Sequence, residues 1–257
     1  MNLQIKSNPE TLAVLQQHRS IRRFLDKTIP EADIQRIVSS TLAVSSSSHG
    51  QAFSIINVTN PENRKKLAEY AGNQQQVIDC SHFFVFCADL HRLEGLASRA
   101  GADLTASLDS TEMFIIATVD AALAAQNTAV AAEALGLGIV YIGGLRNNPQ
   151  QVSELLKLPE RVYPVFGMCI GYPDPEHIPG LKPRLPREAV FFQDEYAPFE
   201  QSVPYLLEYD QTMKQYYLDR TDGRRAETWS DTMIDSKKVP RRMFMKSFLA
   251  ERGFPLT

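Results

Sequence analysis

The feature that most constrains this chain is the apolar run at residues 113–137, interrupted by Asp120, Gln126, Asn127 and Glu133. A membrane span needs about 20 apolar residues in succession, and a charge near the bilayer centre costs several kcal/mol. The run is therefore expected to be a core helix over residues 111–135, not a span. Nine alanines lie between Ala117 and Ala134. Such small side chains let helix axes approach closely, which suits a central helix packed on several sides and reaching a subunit interface. The helix propensity of alanine is the plainer explanation.

Around that helix the chain has material for one large core: 257 residues, with no internal repeat and no linker long enough to separate independent domains. Residues 53–59, 83–88, 139–142 and 162–170 are short, rich in β-branched or aromatic side chains and bounded by breakers, so they are expected as strands. Pro9, Pro61 and Pro149 each follow an asparagine able to cap a first helical turn. Ile34, Ile37, Val38 and Leu42 recur at helical spacing. Between Tyr172 and Arg187, Pro173, Pro175, Pro179, Pro183 and Pro186 stiffen the chain, and residues 205–218 and 240–252 are expected as two further helices. The expectation is one α+β domain over residues 1–257. Its core spans about 8–171, and an arm with helices at about 172–257 wraps over the core or a partner subunit.

Charge and cysteine usage exclude several classes. Lys+Arg number 27 against 30 Asp+Glu, a net charge of −3, which indicates neither nucleic acid nor a membrane surface as partner. The first ten residues hold no apolar stretch of signal-peptide length. Cys80, Cys87 and Cys169 are too few and too scattered for a disulfide framework or a zinc ribbon, so a reducing cytoplasm and buried structural thiols are expected. The five histidines share no metal-ligand spacing, so no metal is expected. Gly136-Leu137-Gly138 lacks a third spaced glycine and follows a helix, so no Rossmann fingerprint is present.

What remains is a set of separated polar blocks. His18-Arg19-Ser20-Ile21-Arg22-Arg23-Phe24, expected at the end of the first helix, gathers three guanidinium groups and a hydroxyl. That is a phosphate site, or a solvated basic helix end meeting its own dipole. Ser45-Ser46-Ser47-Ser48-His49-Gly50-Gln51 is a loop that a flat polar ligand can approach, or a plain flexible one. Gln74-Gln75-Gln76 offer side-chain amides to a ligand or to water. Tyr141-Ile142-Gly143-Gly144 ends a strand with paired glycines, whose backbone N–H groups can lie close to a planar ligand. Lys182-Pro183-Arg184 projects two cations to one side.

In order and type these blocks resemble the flavin-dependent nitroreductases, and among them the NADPH-preferring, oxygen-insensitive nitroreductase and FMN reductase group. The resemblance extends over residues 11–252 and includes Gly72–Gln76, Tyr141–Asn148, Leu181–Pro186 and Thr228-Trp229-Ser230-Asp231. It implies a three-layer α+β fold whose central, mostly antiparallel sheet is flanked by helices. It further implies a homodimer with FMN at the subunit interface and a C-terminal extension wrapping the partner. Carried over by position, it assigns His18, Arg19, Ser20 and Arg22, in a block with Ile21, to the FMN phosphate and ribityl chain. Ser46, Ser47 and Gln51 approach from the serine loop, and Gln74, Gln75 and Gln76 from the ribityl or ring side. Tyr141, Ile142, Gly143 and Gly144 lie along the isoalloxazine, and Lys182 and Arg184 reach the phosphate or the N1/O2 edge.

The resemblance also implies ping-pong chemistry, in which NADPH delivers hydride and leaves. A flat acceptor, such as a nitroaromatic, a quinone or free flavin, then takes its place. No catalytic side chain is required, because the cofactor carries the chemistry. Between Arg220 and Arg252 nine Lys/Arg stand against five Asp/Glu, and Arg220, Arg224 and Arg225 form the tightest group. They are expected to hold the 2′-phosphate of NADPH, with a solvated turn as the plainer reading. A flavin-binding storage or redox-sensing protein without turnover is the alternative. A helical scaffold docking an acidic partner is a third class.

Overall fold

The computed structural model describes residues 9–257; Asn8, expected to cap the first helix, lies outside them. The first of two compact units reaches Pro179 and takes in Phe244–Thr257, and the second is Gly180–Met243. In chain order the first unit holds α1 (Pro9–Gln16), α2 (Glu31–Leu42), β1 (Phe53–Asn57), α3 (Pro61–Tyr70), α4 (Gln76–Asp79), β2 (His82–Asp89), α5 (His91–Arg99), α6 (Thr105–Leu108), α7 (Thr111–Ala134), β3 (Gly138–Ile142), α8 (Pro149–Leu155) and β4 (Val162–Gly171). The second unit holds α9 (Phe199–Arg220) and α10 (Trp229–Lys238), after which α11 (Met245–Glu251) returns to the first.

The strands form one antiparallel sheet in the order β1-β2-β4-β3. Along β2, Phe84, Phe86 and Ala88 enter one apolar cluster, while Phe83, Val85 and Cys87 enter another. A strand buried on both faces has no polar side to show, so it reads as a continuous apolar run. The first cluster is closed by α2, α7 and the returning Phe248, Leu249 and Phe254. Leu67 and Ala68 of α3 and Val152 of α8 close the second. Helices on both faces of a sheet make the three layers.

On α7, Ala117, Ala121, Ala124, Ala125, Ala129 and Ala132 are fully buried. They recur at helical spacing on one face. The Thr128 and Thr41 hydroxyls join α7 to α2 at 2.6 Å. Within this chain α7 meets α1, α2, α6 and all four strands, as expected of a central helix. Ile115, Val119 and Leu123 form an exposed apolar stripe elsewhere on its surface.

Of the other local expectations, one holds and several are corrected. Asn60 caps α3 by accepting from the Glu62 and Asn63 N–H groups. Asn148 does not cap α8: its amide donates instead to the Tyr70 carbonyl at 2.8 Å, tying α8 to the end of α3. In the second unit α9 starts at Phe199 rather than 205, and it contains Pro204. The helix expected at 240–252 begins only at Met245. Between them lies α10, which was not expected; the Thr228 hydroxyl opens it by accepting from the Asp231 N–H.

The C-terminal return is held by charge. Arg161, 6% exposed, pairs with Glu94 at 2.6 Å and Asp109 at 2.8 Å, and donates to the Gly253 carbonyl. Arg252 donates to the Leu158 carbonyl at 2.7 Å.

Candidate functional site

The basic segment does not end a helix. α1 stops at Gln16, and the chain then runs extended along the outer edge of β3, where Ser20 bridges Ile139 and the Ile21 N–H donates to the Ile139 carbonyl at 2.8 Å. The cause is packing. Ile21 is buried against Gly138, and a Cβ at Gly138 would collide with the Ile21 side chain. Ile21 is thus an anchor that fixes its polar neighbours. Arg19 and Arg22 donate only to the nearby carbonyls of Gln17 (3.1 Å) and Ser20 (3.4 Å), and among the described residues neither meets a carboxylate. His18 pairs through Nδ1 with Glu133 of α7 at 2.7 Å. A cleft of about 360 Å³ opens here, lined by Gln17, Arg19, Glu133, Gly138 and Ile178 among others.

β3 runs directly into a tight turn over Gly143–Asn147. A Cβ at Gly144 would strike the Ala71 carbonyl and the Gln74 amide, so only glycine lets this turn sit against residues 71–74. Gln74 donates to the Ala71 carbonyl at 2.9 Å, and Gln76 donates to Gln74 at 2.7 Å. Gln75, which precedes α4, points elsewhere, donating to Asp79 of that helix at 2.7 Å. The Tyr141 hydroxyl donates to Gln126 at 3.3 Å; burial, aided by the Glu133 charge, pushes that phenol up, so it remains a neutral donor. Residues 18–22, 71–76 and 141–147 are thereby gathered along one sheet edge and its end.

The serine loop is placed by a different device. Ser48, His49 and Gln51 have φ of 48°, 58° and 50°, left-handed values that non-glycine residues adopt at a cost of order 1 kcal/mol each. Asp120 of α7, 1% exposed, holds the loop by accepting from the Ser47 N–H at 3.1 Å and the Ala52 N–H at 2.9 Å. The Ser46 hydroxyl accepts from the Gln51 N–H at 3.1 Å, and the Gln51 amide lies 3.4 Å from His49. Sequence reasoning registered Asp120 only as an interruption of an apolar run. The missed signal was the carboxylate itself, because a charge on a buried helix face needs hydrogen-bond donors to be tolerated.

In the second unit, Tyr209, Met213 and Tyr217 pack with Trp229. Lys182 Nζ sits 5.5 Å and the Arg225 guanidinium 4.2 Å from the same Tyr217 ring. Arg184 donates to the Lys182 carbonyl at 2.8 Å. Arg225 is further held by Glu227 at 3.3 Å, and Arg220 donates to the Tyr216 hydroxyl at 3.2 Å. Arg224 donates through Nε to the Thr221 carbonyl at 2.9 Å, while its side chain is 79% exposed and its ion pair with Asp222 stretches to 4.0 Å.

Comparison with known proteins supplies the family. Residues 15–172 match the nitroreductase family model, and residues 182–257 match that family's C-terminal domain. The chain belongs to the nitroreductase family. This nitroreductase is 43% identical over 245 residues to the FMN reductase (NADPH) of Bacillus subtilis, covering 95% of this chain and 98% of that one. It is 39% identical over 244 residues to the oxygen-insensitive NADPH nitroreductase of Salmonella typhimurium, with the same coverage. The solved structure of the NfrA1 nitroreductase from B. subtilis matches it with a TM-score of 0.92, covering 95% of this chain and 99% of that one. The mixed fold of helices and a four-stranded antiparallel sheet is therefore the nitroreductase fold.

The residues of this nitroreductase suit a phosphorylated planar cofactor. Two guanidinium groups without a carboxylate partner among the described residues stand beside a serine hydroxyl on a fixed strand edge, which is a ready anion cradle. At the far end of the same strand, paired glycines and two glutamine amides offer flat backbone and polar edges.

Proposed function

We propose that this nitroreductase binds FMN and oxidises NADPH, passing the electrons to nitroaromatics, quinones or free flavin. The observation that carries the reading is the pair Arg19 and Arg22, held by Ile21 on the open edge of β3 beside the glycine turn. The names of the relatives, an FMN reductase (NADPH) and an NADPH nitroreductase, support it. When bound, FMN supplies two-electron hydride chemistry. The chain supplies position and charge. Arg19, Ser20 and Arg22 hold the phosphate, and His18 is kept in place by Glu133. Gln74 and Gln76 present amides to the ribityl chain, and Tyr141 to Gly144 present backbone to the ring. A purified sample that is yellow and oxidises NADPH steadily with a quinone supports this function; oxidation that stops after one equivalent overturns it.

Arg220 and Arg224 take the NADPH 2′-phosphate in this reading, because Arg225 is already engaged by Glu227 and Tyr217. A charge-assisted hydrogen bond contributes about 1.5–3 kcal/mol. Alanine at Arg224 should therefore raise KM for NADPH by about tenfold or more while leaving KM for NADH unchanged. An equal rise for both donors would remove the assignment.

The working unit of this reading is a cytoplasmic homodimer. The serine loop is held at Asp120 and the arginine segment at Glu133, about 20 Å apart along α7 at about 1.5 Å per residue. The exposed stripe Ile115, Val119 and Leu123 lies on that same helix. Two copies related by a two-fold axis bury such a stripe against itself, and the serine loop of one can meet the arginine segment of the other. Phe191 and Phe199 of the second unit are also exposed and suit an extension laid over a partner. Leu123→Asp should yield monomers by light scattering and weaken flavin retention. A variant that stays dimeric counts against the interface.

A further inference from the structure

The end of the serine loop, where it passes into β1, is held from two sides. From α7, Asp120 accepts the Ala52 N–H. On the other side stands Arg92, in the first turn of α5. Its Nη1 donates to the Gln51 carbonyl at 3.0 Å. Its Nη2 donates to the Phe53 carbonyl at 3.1 Å and to the Ser54 hydroxyl at 3.0 Å. Asp89, which ends β2 and is 8% exposed, anchors the guanidinium through Nη2 at 3.1 Å. The same carboxylate accepts from the Arg92 N–H at 3.3 Å and from the Ser54 hydroxyl. The Asp89 N–H in turn donates to the Ala52 carbonyl at 3.0 Å. The carbonyls of Gln51, Ala52 and Phe53 are therefore all held by one ion pair.

The backbone and the side chain of Gln51 differ in how firmly they are engaged. Its φ of 50° is left-handed, which a non-glycine residue keeps only where its surroundings enforce it. Its N–H is taken by the Ser46 hydroxyl at 3.1 Å, and its carbonyl by Arg92 and by the Phe53 N–H at 2.8 Å. Among the described residues its amide meets only His49, through two contacts of 3.4 Å. A fixed backbone carrying a loosely engaged amide suits a ligand contact, because the ordering cost is met before the ligand arrives. Arg92 itself fills no core volume, since about half of its side chain lies in solvent. Its hydrogen bonds fall on the loop end, on Ser54 and on Asp89.

We propose that Arg92 is a positioning residue for FMN binding: through the Gln51 carbonyl it fixes the direction in which the Gln51 amide meets the cofactor. This rests on the functional reading above, in which the serine loop approaches FMN. Arg92 acts through Gln51 and makes no contact with the cofactor itself. Arginine is required for the task. Its planar fork reaches two carbonyls and Asp89 at once, whereas a lysine ammonium is a single point charge on a flexible stem.

The test is titration of the full-length protein with FMN, followed by flavin fluorescence, with a thermal melt of every variant. Arg92→Lys keeps a cation beside Asp89 and should melt close to the wild type. Its Kd for FMN should nonetheless rise about three- to tenfold, the loss of one amide hydrogen bond. Gln51→Ala should show a rise of the same size. Adding Arg92→Lys to Gln51→Ala should weaken binding no further, because the amide that Arg92 directs is already gone. A merely structural ion pair behaves differently: lysine would restore melting and affinity together. The proposal is overturned if Arg92→Lys or Gln51→Ala binds FMN as tightly as the wild type, or if the two losses multiply in the double variant. A wild-type protein that takes up no FMN at all would instead sink the functional reading, and this proposal with it.

Discussion

Replacing Arg19 and Arg22 together with alanine should leave a folded protein that no longer retains FMN. Both side chains donate only to neighbouring carbonyls, so little of the fold depends on them. In the proposed site each guanidinium would make charge-assisted, bidentate contacts to the phosphate, and losing two at about 1.5–3 kcal/mol apiece would weaken binding by about 10²–10⁴-fold. Lysine at both positions should restore only part of the affinity, because a point charge cannot reproduce the fork. Flavin titration followed by fluorescence, with a thermal melt alongside, measures both sides of the claim. A double variant that melts normally and stays yellow would falsify the phosphate assignment.

The second large effect concerns stability. Asp120→Ala removes the acceptor for two backbone N–H groups at once and leaves three left-handed residues without their restraint. Breaking a buried charge and hydrogen-bond network of this kind costs about 3–5 kcal/mol, which in a chain of this size lowers the melting temperature by roughly 10 °C or more. Asp120→Asn should fall between, since an amide keeps one acceptor but turns a donor toward an N–H. Hydrogen exchange at Ser47 and Ala52 should rise in both variants. An alanine variant with unchanged melting and exchange would show that the loop is held by other contacts.

How far the sequence could be read depended on whether the cause of each feature lay nearby. β2 was legible because a strand buried on both faces leaves a continuous apolar mark, and α3 because Asn60 and Pro61 act on their own helix. α10 left a weaker mark: it is short and polar, with Trp229 as its apolar anchor in the local cluster. The fate of Ile21 depends on Gly138, far along the chain, and without that glycine in view the basic segment looked like a helix end. Asp120 misled for the same reason, because its donors belong to a loop far upstream. Among the candidate contacts, the residue types were readable, but their commitments were not. Nothing local distinguishes Gln75, turned to Asp79, from Gln74 and Gln76, which meet each other.

The return of the chain after Met243 changes what the family's two-part division means physically. The models part between residues 172 and 182, yet Phe248, Leu249 and Phe254 complete the apolar layer over the sheet. The stretch 180–243 is therefore an excursion moored at both ends, and severing the polypeptide at that seam would uncap the very core it was meant to isolate. Losing residues 244–257 would bare that layer even with the excursion intact.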